Sequence, residues 1–120
     1  MAFSIGTDLV KVQRIAKSIL NPRFLARIYT KQEISYCRDK AYPAQHFAVR
    51  FAAKEAVWKA LSDLDVQGIG HKEIGVQRSA SGKPSVSLSP RLKKYEKYIS
   101  LSLSHTKDHA LAVAFFQNRP

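Results

Sequence analysis

The fold is decided by the stretch Arg50-Phe51-Ala52-Ala53-Lys54-Glu55-Ala56-Val57-Trp58-Lys59-Ala60. It lies within residues 44–61, which are rich in alanine and contain neither glycine nor proline, so one long helix is predicted. At about 100° per residue, Phe47, Phe51 and Trp58 share one side of this helix. Smaller apolar residues cover most of the rest, namely Val49, Ala53, Ala56, Val57 and Ala60. We therefore expect the helix to be central and buried.

Two charged residues of this helix, Glu55 and Lys59, are four positions apart and lie within about 40° of each other. Their spacing alone favours a structural ion pair. A largely buried carboxylate is costly unless a partner neutralises its charge, however, and a bound divalent cation can also do this. The helix by itself leaves both interpretations open.

A second carboxylate, Asp8, follows a short strand predicted at residues 2–7. A helical pattern begins at Val12, so Asp8 is placed at a strand-to-helix junction, where it is either a helix cap or a ligand. If Asp8 and Glu55 met in one cleft, they would supply the sparse oxygen ligation typical of magnesium, whose other positions go to water and phosphate oxygens. Lys59 would reach the same phosphates, and this arrangement suits diphosphate chemistry.

Composition restricts the class of protein. The chain has 120 residues, of which 45% are hydrophobic, so we expect one domain spanning residues 1–120. It lacks a long apolar run and a zinc-type Cys/His cluster, and we expect no membrane span and a cytoplasmic location. The formal charge of +11 predicts attraction to polyanions such as phosphorylated ligands, nucleic acids, anionic membranes and acidic proteins.

The other segments predict a mixture of helices and strands. Thr30 and Glu33 have capping-box spacing, which predicts a helix that starts at Lys31 and ends before Pro43.

Residues 73–78 and 85–88 are predicted to form a hairpin, and residues 99–103 and 110–116 a second pair of strands. Together these elements predict an α+β fold in which a mainly antiparallel sheet packs against the long central helix.

Several cations could meet an anionic ligand or partner. Lys11, Arg14 and Lys17 fall three positions apart on the polar face of the first predicted helix and form a basic ridge. Lys83 in a Ser-Gly-Lys-Pro turn and His105 in a loop are each either a solvated residue or a ligand-binding group. The sequence contains no P-loop and no dinucleotide-binding glycine fingerprint, so those nucleotide sites are disfavoured.

Four short blocks, which together span almost the whole chain, match a known family in its own order. They are Ile5-Gly6-Thr7-Asp8-Leu9-Val10 with Arg14-Ile15, Arg50-Phe51-Ala52-Ala53-Lys54-Glu55 with Lys59-Ala60, Gly82-Lys83-Pro84, and Ser102-Leu103-Ser104-His105. By these blocks the chain resembles the holo-[acyl carrier protein] synthases, the small type of 4′-phosphopantetheinyl transferase.

The resemblance implies that magnesium assists transfer of the 4′-phosphopantetheine arm of coenzyme A to a serine of an acyl carrier protein. The other product would be adenosine 3′,5′-bisphosphate. Asp8 and Glu55 would be the magnesium ligands, and Lys59 would contact the phosphate and could protonate the leaving group, so that all three residues are catalytic. The base that activates the serine would be either Glu55 or a metal-bound water.

The resemblance also implies a homotrimer with active sites between subunits, so that the turn Gly82-Lys83-Pro84 and His105 would serve a cleft whose metal ligands belong to another chain. The basic ridge with Arg14 would dock the acidic helix of the carrier protein. The residues expected to bind coenzyme A are Arg50, Lys54, Lys59, Lys83, Pro84 and His105.

The segment after the long helix departs from the family pattern. Relatives commonly have Gly-Thr-Gly soon after the Lys-Ala dipeptide, whereas this chain has Leu61-Ser62-Asp63-Leu64-Asp65-Val66-Gln67-Gly68-Ile69-Gly70. We expect Asp63 and Asp65 to face solvent or a basic partner, because they would repel phosphates at a site built for them.

Two other functions are possible for a chain of this composition. A nucleic-acid-binding module would use the basic charge interleaved with Tyr95, Tyr98 and Phe51, but it would not explain Asp8 and Glu55. A non-catalytic scaffold has only the altered segment after Leu61 in its favour. We expect the transferase, with no nucleic-acid partner.

Overall fold

The long helix predicted from the sequence is the central element of the protein. In the computed structural model, which describes the backbone of residues 2–118 and the side chains of residues 3–117, helix α4 spans Pro43–Ala60. Eleven of its residues are buried, and the nine apolar ones belong to one core shared with every strand. The expected α+β architecture is confirmed, because α4 packs across an antiparallel sheet.

The sheet that covers α4 has three strands in the order β1-β5-β4, with both pairs antiparallel. A separate antiparallel hairpin is formed by β2 and β3. In chain order the elements are β1 Ala2–Lys11, α1 Val12–Ser18, α2 Pro22–Ile28, α3 Lys31–Arg38, α4 Pro43–Ala60, a 3-10 turn His71–Glu73, β2 Ile74–Arg78, β3 Pro84–Leu88, a 3-10 segment Pro90–Tyr98, β4 Ile99–His105 and β5 His109–Asn118.

A glycine allows β1 to approach α4 closely. A Cβ atom added to Gly6 would lie 1.9 Å from the carbonyl oxygen of Ala56 and 2.7 Å from the amide nitrogen of Ala60. Only glycine therefore fits this contact of strand backbone on helix backbone. Because side chains alternate along a strand, Asp8 and Val10 point to the same face of β1 as Gly6 and so towards α4.

The prediction that β1 ends at Thr7 is wrong. The strand continues to Lys11, because β5 pairs with it along its whole length, from Ala2 opposite Asn118 to Lys11 opposite His109. Asp8 therefore lies inside a strand, opposite Ala112, and not at a strand-to-helix junction. It does not cap α1 either, because Lys11 occupies the N-cap position.

A buried ion pair joins α3 to α4. The Nζ atom of Lys54 lies 2.7 Å from Oε1 of Glu33, and the two side chains are 0% and 3% exposed. Lys54 also donates hydrogen bonds to the carbonyl oxygens of His71 and Ile74, at 3.1 and 2.7 Å. Glu33 accepts from the amide of Val76 at 2.7 Å and completes the predicted capping box with Thr30. These hydrogen bonds offset the cost of burying both charges.

Two features of the helices differ from the expectations. Trp58 was expected to be buried with Phe47 and Phe51, but it is 46% exposed, because it lies near the end of α4 beside an open cavity. Helix α2 was not anticipated, although Asn21 caps it and Pro22 begins it, a combination that favours a helix start.

None of the helices within residues 2–118 combines the length and the apolar character that are required to cross a membrane.

We predict that Gly6→Ala lowers the free energy of unfolding by about 1–3 kcal/mol or more, the usual cost of overfilling a packed interior. The reason is that the added methyl group would collide with the backbone of α4. The free energy of unfolding from urea titration measures the effect. Gly70→Ala is the matched control, since Gly70 has φ −94° and no heavy atom within 4 Å of the added Cβ. Equal stability of the two variants would show that the contact at Gly6 does not constrain the fold.

Candidate active site

The three side chains predicted to be catalytic lie near one another where β1 crosses α4. The Nζ atom of Lys59 donates a hydrogen bond to the carbonyl oxygen of Thr7 at 2.8 Å and lies 3.4 Å from Oδ1 of Asp8. Glu55, one turn earlier on α4, is close enough for its charge to act on Asp8. The close contact at Gly6 thus brings a strand carboxylate to a helix carboxylate and a helix lysine.

The electrostatics of Asp8 reflect this crowding. Burial is the largest cause that raises the pKa of its carboxyl above the ordinary value, and the negative charge of Glu55 raises the pKa further. The ammonium of Lys59 and the more distant Arg14 oppose the increase. A cation placed between Asp8 and Glu55 would relieve the repulsion between them.

Glu55 has a partner that the sequence analysis did not identify. Its Oε2 atom lies 3.1 Å from Nε2 of His71, in the 3-10 turn that precedes β2. Both side chains are partly exposed and line a cavity of about 260 Å³ together with Trp58, Ile69 and Ile74. The sequence did not predict this contact, because His71 lies outside the motif blocks and 16 positions from Glu55.

The simple ion pair between Glu55 and Lys59 does not form. The two side chains bind different partners, since Lys59 contacts Asp8 and Glu55 contacts His71. Helical spacing alone favoured that ion pair, but the strand and the turn that pack on α4 supply closer partners.

The two carboxylates fit a magnesium ion in donor type. Within the described part of the chain no set of three or more His, Cys, Asp and Glu side chains is arranged to hold a metal ion. Two carboxylates, completed by water and phosphate oxygens, match the manner in which magnesium binds together with a diphosphate.

Lys54 is not placed to contact a ligand, contrary to the expectation that it binds coenzyme A. Its side chain is fully buried and is held by Glu33 and by two backbone carbonyl oxygens. Burial lowers the pKa of Lys54, and Glu33 opposes this decrease. Within the motif at residues 50–55, Lys54 therefore supports the fold.

Arg50 belongs to a second cluster on α4, separate from the carboxylates. It precedes Glu55 by five positions, which places the two about 140° apart around the helix. Its guanidinium lies 4.3 Å from the centre of the Tyr36 ring, and its buried Nε atom has no hydrogen-bond partner among the described residues. Arg50 lines a cavity of about 360 Å³ that also includes Arg78.

Positive charge concentrates around the N-terminal half of α4. Burial is the largest cause that lowers the pKa of His46, and four neighbouring basic residues lower it further, namely Arg50, Lys40, His105 and Arg78. His105, at the exposed end of β4, thus belongs with Arg50. An anionic group would be attracted to this cluster.

Lys83 and Pro84 line a third cavity, with the 3-10 segment and β4. The fold of this chain therefore does not bring them to Glu55, which lines a different cavity.

The basic ridge is exposed but is not purely helical. Arg14 and Lys17 lie on α1, whereas Lys11 is the last residue of β1. The guanidinium of Arg14 lies 5.4 Å from the centre of the Phe51 ring, which in turn stacks on His71. The ridge therefore borders the side chains that are predicted to be catalytic.

The segment that departs from the family pattern is held by Arg91. This residue donates hydrogen bonds to the carbonyl oxygens of Gln67 and Gly68 at 3.0 and 3.1 Å and pairs with Glu73 at 2.7 Å. Asp63 and Asp65 are exposed, as expected. Arg91 was not identified from the sequence, because its partners are backbone atoms and a side chain 18 positions away, Glu73.

Sequence comparison identifies relatives of the chain. Residues 4–114 match the profile of the 4′-phosphopantetheinyl transferase superfamily. A holo-[acyl-carrier-protein] synthase of Protochlamydia amoebophila is 40% identical over 122 residues, which cover 98% of this chain and all of that protein. The synthase of Chlamydia felis is 44% identical, with 92% of this chain and 93% of the relative covered.

Solved structures agree with this assignment. The holo-[acyl-carrier-protein] synthase of Neisseria meningitidis superposes with a TM-score of 0.82 at 32% identity, over 96% of this chain and 98% of that chain. The Helicobacter pylori enzyme, solved in complex with coenzyme A, gives 0.76 at 32% identity, over 92% and 96% of the two chains. Because its sequence matches the family profile over residues 4–114 and its fold matches the solved relatives, the chain belongs to the 4′-phosphopantetheinyl transferase superfamily.

Proposed function

We propose that this protein transfers the 4′-phosphopantetheine group of coenzyme A to a serine of an apo acyl carrier protein and releases adenosine 3′,5′-bisphosphate. The observation that carries the proposal is the meeting of Asp8, Glu55 and Lys59 where β1 crosses α4. Relatives about 40% identical over nearly the whole chain are holo-[acyl-carrier-protein] synthases, and related structures contain coenzyme A.

Asp8 and Glu55 are the proposed ligands of a magnesium ion, which when bound would neutralise charge on the diphosphate of coenzyme A. Lys59 lies beside Asp8 and is the proposed contact for the phosphate oxygens and the proton donor to the leaving group. Phosphoryl transfer depends mainly on positioning and on stabilisation of charge, which these three residues can supply. The serine proton passes to Glu55 or to water.

The aromatic rings that a nucleic-acid-binding function would use to stack on bases are engaged in packing. Phe51 is buried, and Tyr95 and Tyr98 pack edge-on against Phe116. Rings that are used for packing in this way are poorly placed to stack on bases. A cytoplasmic location is proposed together with the transferase function.

We predict that the protein, incubated with coenzyme A, magnesium and an apo acyl carrier protein, adds one phosphopantetheine to the carrier, and that Glu55→Gln lowers kcat by roughly a hundredfold or more. Intact-protein mass spectrometry measures the product, and thermal melting checks that the variant folds. Asp65→Asn removes one negative charge from an exposed residue and is the matched control. Absence of transfer by the unaltered protein with several carriers would reject the proposed function.

The proposed assembly is a homotrimer with active sites between subunits. The face of β1 that points away from α4 carries large exposed apolar side chains, with Phe3, Ile5 and Leu9 between 55% and 65% exposed. Phe3 stacks on Phe115 of the neighbouring strand, and Leu111 is also exposed. An apolar sheet face of this kind marks a protein interface.

The distribution of the predicted ligand-binding residues also supports shared sites. Asp8, Glu55 and Lys59 occupy one region of the subunit, whereas Lys83 and Pro84 line another cavity and His105 joins the cluster at Arg50. Subunits that pack around the apolar sheet face could bring the carboxylates of one chain to the cations of the next. The diphosphate and the nucleotide phosphate would then have partners from two chains.

We predict that mixed oligomers restore activity from inactive parents. One parent carries Glu55→Gln and the other carries Lys83→Ala with His105→Ala. Where the two parents meet, one site combines the intact Glu55 of one chain with the intact Lys83 and His105 of the other. Subunits are mixed by unfolding and refolding, and transfer is compared with that of each parent refolded alone. If the refolded mixture is no more active than the parents, shared sites are contradicted.

The basic ridge of Lys11, Arg14 and Lys17 is the proposed dock for the acidic carrier protein. Its side chains are exposed and border the catalytic residues through the contact of Arg14 with Phe51. Charge complementarity of this kind accelerates encounter and orients the partner.

We predict that Arg14→Glu raises the KM for the carrier protein roughly tenfold while the KM for coenzyme A changes little, because reversal of a rim charge affects association with the charged partner most. Lys94→Glu, on the 3-10 segment, makes the same charge change elsewhere and is the control. Equal increases in both KM values for Arg14→Glu, or an equal effect of Lys94→Glu, would argue against docking at the ridge.

A further inference from the structure

We propose that His71 is a positioning residue that holds the carboxylate of Glu55 in the orientation required for binding a divalent cation. The inference rests on the proposed function, because it assigns a role to a neighbour of a proposed metal ligand. It is carried by the contact of 3.1 Å between Nε2 of His71 and Oε2 of Glu55.

The backbone of His71 is held independently of Glu55. Its carbonyl oxygen accepts a hydrogen bond from Lys54, which is fully buried and paired with Glu33. Two residues later, Glu73 is fixed by Arg91 and by the amide of Gly70. The 3-10 turn therefore has anchors on both sides of the residue that meets Glu55.

The imidazole ring of His71 is held as well. It stacks on Phe51, with ring centres 5.8 Å apart and planes inclined by 14°. The guanidinium of Arg14 lies over the Phe51 ring. With one face packed, the ring presents Nε2 to Glu55 in a defined direction. A residue whose own position is fixed in this way can restrict the rotation of its partner.

The contact leaves one oxygen of Glu55 available. With a hydrogen on Nε2, His71 donates to Oε2 of Glu55 and leaves Oε1 free for a cation. Carboxylates that bind metals are commonly oriented by such a second hydrogen bond, and removal of the outer partner typically weakens metal binding or activity by about 10–100-fold. This places His71 in the role of the outer partner.

A pair of substitutions separates the hydrogen bond from the ring. His71→Phe retains a planar ring that can stack on Phe51 but removes the donor. His71→Gln removes the ring but places an amide nitrogen near the position of Nε2. Binding of Mn²⁺ in the presence of coenzyme A is measured by electron paramagnetic resonance, alongside thermal melting, kcat and the KM for each substrate.

We expect His71→Phe to raise the dissociation constant for Mn²⁺ roughly tenfold and to lower kcat, while the melting temperature and the KM for the carrier protein stay close to those of the unaltered protein. His71→Gln should recover most of the Mn²⁺ affinity. In a Glu55→Gln background, His71→Phe should weaken Mn²⁺ binding no further, because its effect passes through Glu55.

Unchanged or tighter Mn²⁺ binding by His71→Phe would overturn the proposal, since the hydrogen bond would then be irrelevant to the metal or would compete with it. Equal losses in His71→Phe and His71→Gln would also overturn it. An unaltered protein that binds Mn²⁺ but modifies no carrier would reject the proposed function and leave the Mn²⁺ comparison valid for His71. An unaltered protein that binds no Mn²⁺ with coenzyme A would overturn both.

Discussion

The contact of β1 with α4 at Gly6 is the constraint on which the site depends. A side chain at this position would collide with the backbone of Ala56, so the strand can lie against the helix only through glycine. Two residues further along the same face, Asp8 reaches the helix positions occupied by Glu55 and Lys59. The repulsion between the two carboxylates follows from this proximity, and it makes the crossing suitable for a cation.

The second constraint is the buried pair of Glu33 and Lys54. Burial of two charges is unfavourable unless their remaining hydrogen-bonding groups are satisfied, and here backbone groups on both sides do this. The pair ties α3, α4 and the start of β2 together and fixes the turn that carries His71. Consecutive residues of one motif thus have different tasks, because Lys54 faces the interior while Glu55 faces a cavity.

The helix, the final strand pair and the capping box at Thr30 could be predicted because their signals are local in sequence. The position of Asp8 could not, since β1 is extended by pairing with β5, a partner from the other end of the chain. The apolar pattern of α4 wrongly predicted that Trp58 is buried. Whether a helical residue is buried depends on what packs against its turn of the helix. His71 and Arg91 were missed because their partners lie on other elements or are backbone atoms. The shared site proposed for Lys83, Pro84 and His105 was expected only from the family resemblance, because no spacing within one chain indicates a partner on a second subunit.

Crystals of the protein grown with coenzyme A and Mn²⁺, with data collected at the manganese absorption edge, test most directly whether Asp8 and Glu55 share one cation. We predict an anomalous peak about 2 Å from a carboxylate oxygen of each residue and next to the diphosphate. A peak bound to other side chains, or coenzyme A bound with no peak near Asp8 and Glu55, would contradict this site.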